Sequence, residues 1–146
     1  MRDTREVMSE EPVGPTVVEL THQAYATLNS RDLDAITRFL EPSSVCDVSC
    51  WELGIHTGPE AICRFADEWI GDLYEYGVQV NEMQDLGNGV MFVAQVAHRA
   101  HTRHGYVELP SAAVLIWRDG KLRRVSVYPD GEQARAAASR VTDTSG

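Results

Sequence analysis

An α+β fold is predicted, with helices packed on the concave face of a curved, cone-shaped antiparallel sheet that encloses a cavity. Three observations predict it. Helical periodicity occupies the first half of the 146-residue chain. Alternating residues and tight-turn dipeptides occupy the second half, and this segregation is the mark of an α+β domain. Between the helical segments, Val45 to Trp51 alternates as an isolated strand does.

The elements follow in order. Met1 to Pro15 is polar, holds two prolines and a glycine, and shows neither period, so it reads as a disordered tail without chemistry. A single domain is expected over residues 16–140, with 141–146 flexible. Val17, Leu20, Thr21, Ala24, Tyr25 and Leu28 recur at helical spacing behind Pro15, which suits a helix start. After Asn29-Ser30-Arg31, Asp32 can cap a short second helix. Its buried face is Leu33, Ile36, Phe39 and Leu40, and Glu41-Pro42 ends it.

Val45 to Trp51 then forms a strand. Thr57-Gly58-Pro59-Glu60 reads as a capping box, opening a helix with the apolar stripe Ile62, Phe65, Ala66, Trp69, Ile70 and Leu73. Strands follow from Tyr76. Asn88-Gly89 turns one strand into Val90 to Thr102, and Asp119-Gly120 turns Tyr106 to Arg118 into Lys121 to Tyr128. Pro110 marks a bulge or an edge. Val90 to Ala94 is apolar on both faces, which predicts helices on one side and a neighbouring subunit on the other. Asp130 to Gln133 can cap a short Ala-rich helix.

Composition excludes several function classes. With a net charge of −9 and only 13 scattered Lys and Arg, nucleic acid and anionic membrane surfaces are disfavoured as partners. No stretch approaches the roughly 18 to 20 apolar residues of a membrane span, and a cytoplasmic, soluble protein is expected. Cys46 and Cys50 on an extended strand would lie roughly 13 Å apart, too far to bridge, so all three cysteines read as free thiols.

Asp47 is the first candidate for chemistry. Alternation puts Asp47, Ser49 and Trp51 on one face and Cys46, Val48 and Cys50 on the other, and periodicity alone leaves open which face meets the core. A half-buried carboxylate there would have a pKa suited to proton transfer. His98, His101 and His104 suggest a metal, but on a strand a three-residue step reverses the face. The two that share a face lie roughly 20 Å apart, so no metal is expected. His98 continues the face of Ala94 and Val96 and can act as acid, base or donor if that face meets a cavity. Tyr25 lies on the first helix stripe; Trp51, Phe65 and Trp69 are apolar walls in any arrangement. His56 either rims a pocket or is exposed. Cys63 lacks a catalytic context, and neither a Gly-x-Ser-x-Gly elbow nor a phosphate loop is present.

Three segments carry a family resemblance: Tyr25-Ala26-Thr27-Leu28-Asn29-Ser30-Arg31-Asp32-Leu33-Asp34-Ala35, Gly58-Pro59-Glu60-Ala61-Ile62, and Tyr128-Pro129-Asp130. Together they resemble a SnoaL-like polyketide cyclase domain, of the nuclear-transport-factor-two-like superfamily that includes ketosteroid isomerase. The resemblance spans about Val17 to Ala138 and implies a cone that is commonly dimeric through the outer sheet face. Val45-Cys46-Asp47 falls on the isomerase's Val-x-Asp, which implies Asp47 as catalytic base and puts Asp47, Ser49 and Trp51 on the cavity face. The isomerase's oxyanion tyrosine falls on Ala24, one residue before Tyr25, and its protonated aspartate falls on Ala113, so that oxyanion hole is not reproduced.

The reading that results is a small cofactor-free enzyme acting on an apolar, carbonyl-bearing, polyketide-like metabolite by aldol-type cyclisation or isomerisation. Asp47 would take a proton, and His98 or Tyr25 would donate a hydrogen bond to the enolate. Trp51, Phe65, Trp69, Ala113, Val125 and Val127 would line the site. A non-catalytic domain holding a ligand or partner is the first alternative. An epoxide-hydrolase-like activity using Asp47 and Arg99 is the second. A homodimer is expected, with no metal and no cofactor.

Overall fold

The computed structural model describes residues 16–70, 75–101 and 105–145. The expected tail over Met1 to Pro15, Leu73 of the third helix stripe, and His104 lie outside the described residues, as do the side chains of Arg99 and His101. Helix α1 (Val17–Asn29) opens on a capping box: Thr16 Oγ1 accepts from Glu19 N–H, and the Glu19 carboxylate accepts from Thr16 N–H at 2.8 Å. Asp32 caps α2 (Leu33–Ile36) by accepting from Ala35 N–H. A 3₁₀ turn, Thr37–Phe39, then tightens the chain.

Leu40 therefore does not belong to the second helix; it begins strand β1 (Leu40–Asp47). This strand starts earlier than expected because its pairing with the last strand shifts register between Leu40 and Val45, which gives Pro42 a place outside the ladder. Ser44 bridges the irregularity, accepting from Glu41 N–H and donating to Leu122 O. β1 also ends earlier than expected. Asp47 Oδ1 accepts from Ser49 N–H at 3.0 Å, an Asx turn that leads the chain into a 3₁₀ turn over Ser49–Trp51. Glu52, at φ 62°, then reverses it. Ser49 and Trp51 are thus not on the strand face of Asp47.

Strand β2 (Ile55–Thr57) pairs back on β1, and α3 (Pro59–Ile70) begins directly afterwards. Thr57 closes β2. Gly58 (φ 90°) takes the cap position in place of the expected capping box, with Pro59 as first helical residue and Ile62 N–H on Gly58 O. Strands β3 (Glu75–Asp85), β4 (Val90–His101), β5 (Gly105–Arg118) and β6 (Lys121–Tyr128) follow, and α4 (Gly131–Ser145) comes last. α4 is longer than the short helix expected. Positive φ at Asn88 and Gly89, and at Asp119 and Gly120, marks both predicted tight turns. Pro110 pairs with Val96 of β4 beyond the point where β6 begins to pair with β5, the edge position expected for it.

The six strands form one sheet in the order β2-β1-β6-β5-β4-β3, not closed into a barrel. The α+β class holds, but the sheet is mixed rather than wholly antiparallel, because β1 runs parallel to β6. On the inner face, α1 packs on β3 and β4, and α3 packs on β1 and β2. That core contains Leu20, Phe39, Ile62, Met91, Val93, Ala113, Leu115 and Trp117. Beneath it, Trp117 Nε1–H donates to Thr21 Oγ1 at 3.0 Å, so a fully buried indole is satisfied.

The outer face of Val90 to Ala94 was expected to meet a neighbouring subunit. It meets α4 of the same chain instead. Ala134 and Ala138 lie over Val90, Phe92, Ala112 and Val114, and Arg135 stacks its guanidinium 3.9 Å from the Phe92 ring centroid. Small side chains on α4 let the helix approach the sheet closely enough to bury this run within one chain. No helix among the described residues is long and apolar enough to cross a membrane.

Candidate functional site

A pocket of about 180 Å³ lies between the inner sheet face and the first three helices. Its floor is the sheet: Gln95 and Ala97 from β4, Ala113 and Leu115 from β5, Val125 and Val127 from β6. α1 contributes Ala24, Tyr25 and Leu28, and α3 contributes Ile62, Phe65, Ala66 and Trp69, as the helical spacing of those residues requires. Trp51 arrives from the loop after β1.

One side of the pocket is a run of nearly parallel rings. Trp51 stacks on Trp69 with centroids 5.8 Å apart and planes 9° apart. Trp69 follows Phe65 at 6.2 Å, and Phe65 carries the His56 ring at 4.3 Å. His56 is fixed by a 2.8 Å hydrogen bond between its Nε2 and Leu53 O, within the loop that bears Trp51. A wall of packed aromatic rings suits an apolar guest.

The polar part of the pocket is small. Tyr25 O–H donates to Gln95 Oε1 at 2.5 Å, and Gln95 Nε2 donates to Ser111 Oγ at 3.2 Å. Gln95 and Ser111 are register partners on β4 and β5, and each is 7% exposed, so this chain of groups is part of the core as much as of the pocket. Cys46 also lines the pocket. Burial, with the Asp47 charge as the lesser cause, pushes its thiol up to about 11, so it stays protonated and unreactive at neutral pH.

Of the nine residues expected to form the site, seven line the pocket: Tyr25, Trp51, Phe65, Trp69, Ala113, Val125 and Val127. Asp47 and His98 do not. Asp47 is in register with Ser126, whose neighbour Val114 lies under α4, so Asp47 points to the outer face while Cys46 and Val48 point inward. There Arg124 Nη2 donates to Asp47 Oδ2 at 2.9 Å, and Arg124 Nε donates to Ser126 Oγ. Burial alone would raise the Asp47 carboxyl. The hydrogen bonds from Ser49, and the charge and hydrogen bond of Arg124, outweigh burial and hold it below the ordinary carboxylate value. The carboxylate is thus ion-paired on the outer face, away from the pocket.

His98 shares the outer face with Ala94 and Val96, because Met91 and Val93 take the inner one, and its Nδ1 lies 3.4 Å from Glu108. The Asp47 and Arg99 pairing considered for epoxide chemistry loses its first member to the outer face, and the Arg99 side chain lies outside the described residues. Gln95, Cys46 and Val48 are pocket residues that sequence reasoning did not assign. Gln95 had a signal: it is the one polar residue on the alternate face Met91, Val93, Gln95, Ala97.

An open mixed sheet with three helices over one face and an apolar pocket between them defines the nuclear-transport-factor-two-like class of α+β domain. Within that class the chain belongs to the SnoaL-like domain family, whose model matches residues 21–125. Among solved structures it is similar to a candidate SnoaL-like polyketide cyclase from Shewanella denitrificans, with a TM-score of 0.71 at 13% identity, covering 88% of this chain and 99% of the other. It is similar also to TerC co-crystallised with polyporic acid, with a TM-score of 0.67 at 19% identity, covering 84% and 98%. A third is a protein of ketosteroid isomerase-like fold from Catenulispora acidiphila in complex with trimethylamine, with a TM-score of 0.69 at 14% identity, covering 85% and 95%. At such identities the likeness is one of fold. No curated protein matches the chain.

Proposed function

We propose that this chain takes a flat, apolar, carbonyl-bearing small molecule of polyketide type into the pocket, with its oxygen on the Tyr25 and Gln95 pair. The observation that carries this reading is the Tyr25 to Gln95 hydrogen bond, set in a wall otherwise built of apolar and aromatic side chains. An apolar cavity of about 150 Å³ admits benzene, so one ring of a bicyclic guest fits within this pocket and the rest lies along Trp51 and Trp69. The chemistry open to such a complex is ring closure or isomerisation of a guest held in a reactive shape, with the Tyr25 hydroxyl stabilising the developing enolate once the guest oxygen replaces Gln95 Oε1 as its acceptor. The co-crystal of TerC with polyporic acid supports a cyclic, oxygen-bearing guest for this fold.

A second reading, a binding domain without turnover, is favoured by one specific observation: Asp47 and His98 both lie outside the pocket. The test uses 1-tetralone, a bicyclic ketone, with tryptophan fluorescence as readout. Saturable quenching is expected, and Tyr25→Phe is expected to weaken binding about fivefold to tenfold through loss of one hydrogen bond. Absence of quenching, or equal affinity in Tyr25→Phe, would overturn the assignment of the pocket. Turnover of a polyketone substrate then separates the enzyme from the binder.

A further inference from the structure

We infer that Asn29 is a positioning residue that sets the width of the pocket on its β3 side, by clamping the end of α1 to the free edge of the sheet. This rests on the ligand pocket proposed above and adds a residue that governs which guests fit it. Asn29 is the last residue of α1, and in the sequence it reads only as part of the break that ends that helix. The structure gives its side chain a second task. Val78 N–H donates to Asn29 Oδ1 at 2.7 Å, and Asn29 Nδ2 donates to Val78 O at 3.0 Å.

β3 is the last strand in the sheet order, so its peptide groups that point away from β4 have no further strand to pair with. Both groups of Val78 point that way. Val78 is also buried, and peptide groups left unpaired there are costly. A carboxamide is a peptide group carried on a side chain, and at this one point it stands in for the missing strand. Its partners also fix which end is which, since a peptide N–H only donates and a carbonyl only accepts.

The clamp lies at a seam in the pocket wall. Val78 lines the pocket from β3, and Leu28, the residue before Asn29, lines it from α1, while Asn29 itself does not line it. Tyr25, one turn earlier, lies on the same side of α1 and is tied to Gln95 of β4. The helix is thus fixed to two adjacent strands, and the fix at the edge determines how far Leu28 stands from Val78. An aspartate in this place would still accept from Val78 N–H but would set a carboxylate against Val78 O, and an alanine would make neither bond. Without the clamp the Leu28 side of the wall can draw away from Val78, which relaxes the limit on guest width.

The experiment measures the affinity of the full chain for a two-ring and a three-ring ketone, 1-tetralone and 9-fluorenone, by tryptophan fluorescence. In Asn29→Ala the affinity for 1-tetralone is expected to fall about fivefold, the lower end of coupling between linked sites. The ratio of the two constants is expected to shift at least about threefold toward 9-fluorenone, and Asn29→Asp is expected to shift it the same way. Thr21→Val weakens the core beneath the pocket without touching this seam, so it is expected to keep the wild-type ratio. That contrast separates a set width from a general loss of stability. The wild-type protein supplies a readout that needs no variant, amide hydrogen exchange followed by NMR. Saturating 1-tetralone is expected to slow exchange of the Val78 N–H at least about threefold, because the guest bridges Leu28 and Val78. An unchanged ratio in Asn29→Ala, an equal shift in Thr21→Val, or Val78 exchange indifferent to the guest would overturn the inference and leave the pocket standing. If neither ketone binds the wild-type protein, the pocket reading falls and this inference with it.

Discussion

Asp47 and Arg124 are joined at 2.9 Å on the outer side of the sheet, while Cys46, one residue earlier on the same strand, faces the pocket. The pair lies at the seam between parallel strands β1 and β6, and Arg124 also reaches Ser126. It ties the two strands together where the Asx turn of Asp47 ends β1.

Asp47→Asn is therefore expected to leave the affinity for 1-tetralone unchanged and to lower stability by about 0.5–1 kcal/mol at neutral pH, the scale of a partly exposed ion pair. The sign of the pH dependence follows from the lowered carboxyl pKa. Stability from this group is present above the unfolded-state value and is lost as pH falls through the folded-state value. Urea titrations of both proteins should thus converge in acid. A tenfold loss of ligand affinity in Asp47→Asn would return Asp47 to the site.

Thr21→Val tests the core under the pocket. Valine matches the shape of threonine but leaves the Trp117 indole N–H, now bonded at 3.0 Å, without an acceptor in a region sealed from solvent. A loss of about 1–3 kcal/mol is expected. Thermal or urea unfolding checks it, and a change below about 0.5 kcal/mol would show that a water or another group takes over.

The thiols should label in an order set by their surroundings. Cys50 is exposed, whereas Cys46 lines the pocket and has its pKa pushed up to about 11. Brief iodoacetamide treatment at pH 8, read by mass spectrometry of peptides, is expected to mark Cys50 first and Cys46 last, since the thiolate is the reactive form. Labelling of Cys46 should rise only as pH approaches that value, and a ligand in the pocket should suppress it. Rapid labelling of Cys46 at pH 8 would contradict the burial described here.

The periodic elements were legible in the sequence for a physical reason: α1 and α3 each bury one regular stripe, β4 and β5 bury alternate residues on two faces, and regular burial leaves a regular pattern. The same stripes put Tyr25, Phe65, Trp69, Ala113, Val125 and Val127 into the pocket. The Asn88-Gly89 and Asp119-Gly120 turns were legible because few residues accept their backbone angles. Only the tertiary structure decided the face of Asp47. The strand puts Cys46 and Val48 on one face and Asp47 on the other, but a short strand carrying both a carboxylate and a nearby indole does not say which face meets the pocket. The choice was made by what lies across it: Arg124 on one side, the apolar helices on the other. The Asx turn that throws Trp51 back over the pocket, and the α4 alanines that cover Val90 and Phe92, likewise depend on partners distant in the chain, which a local pattern does not contain.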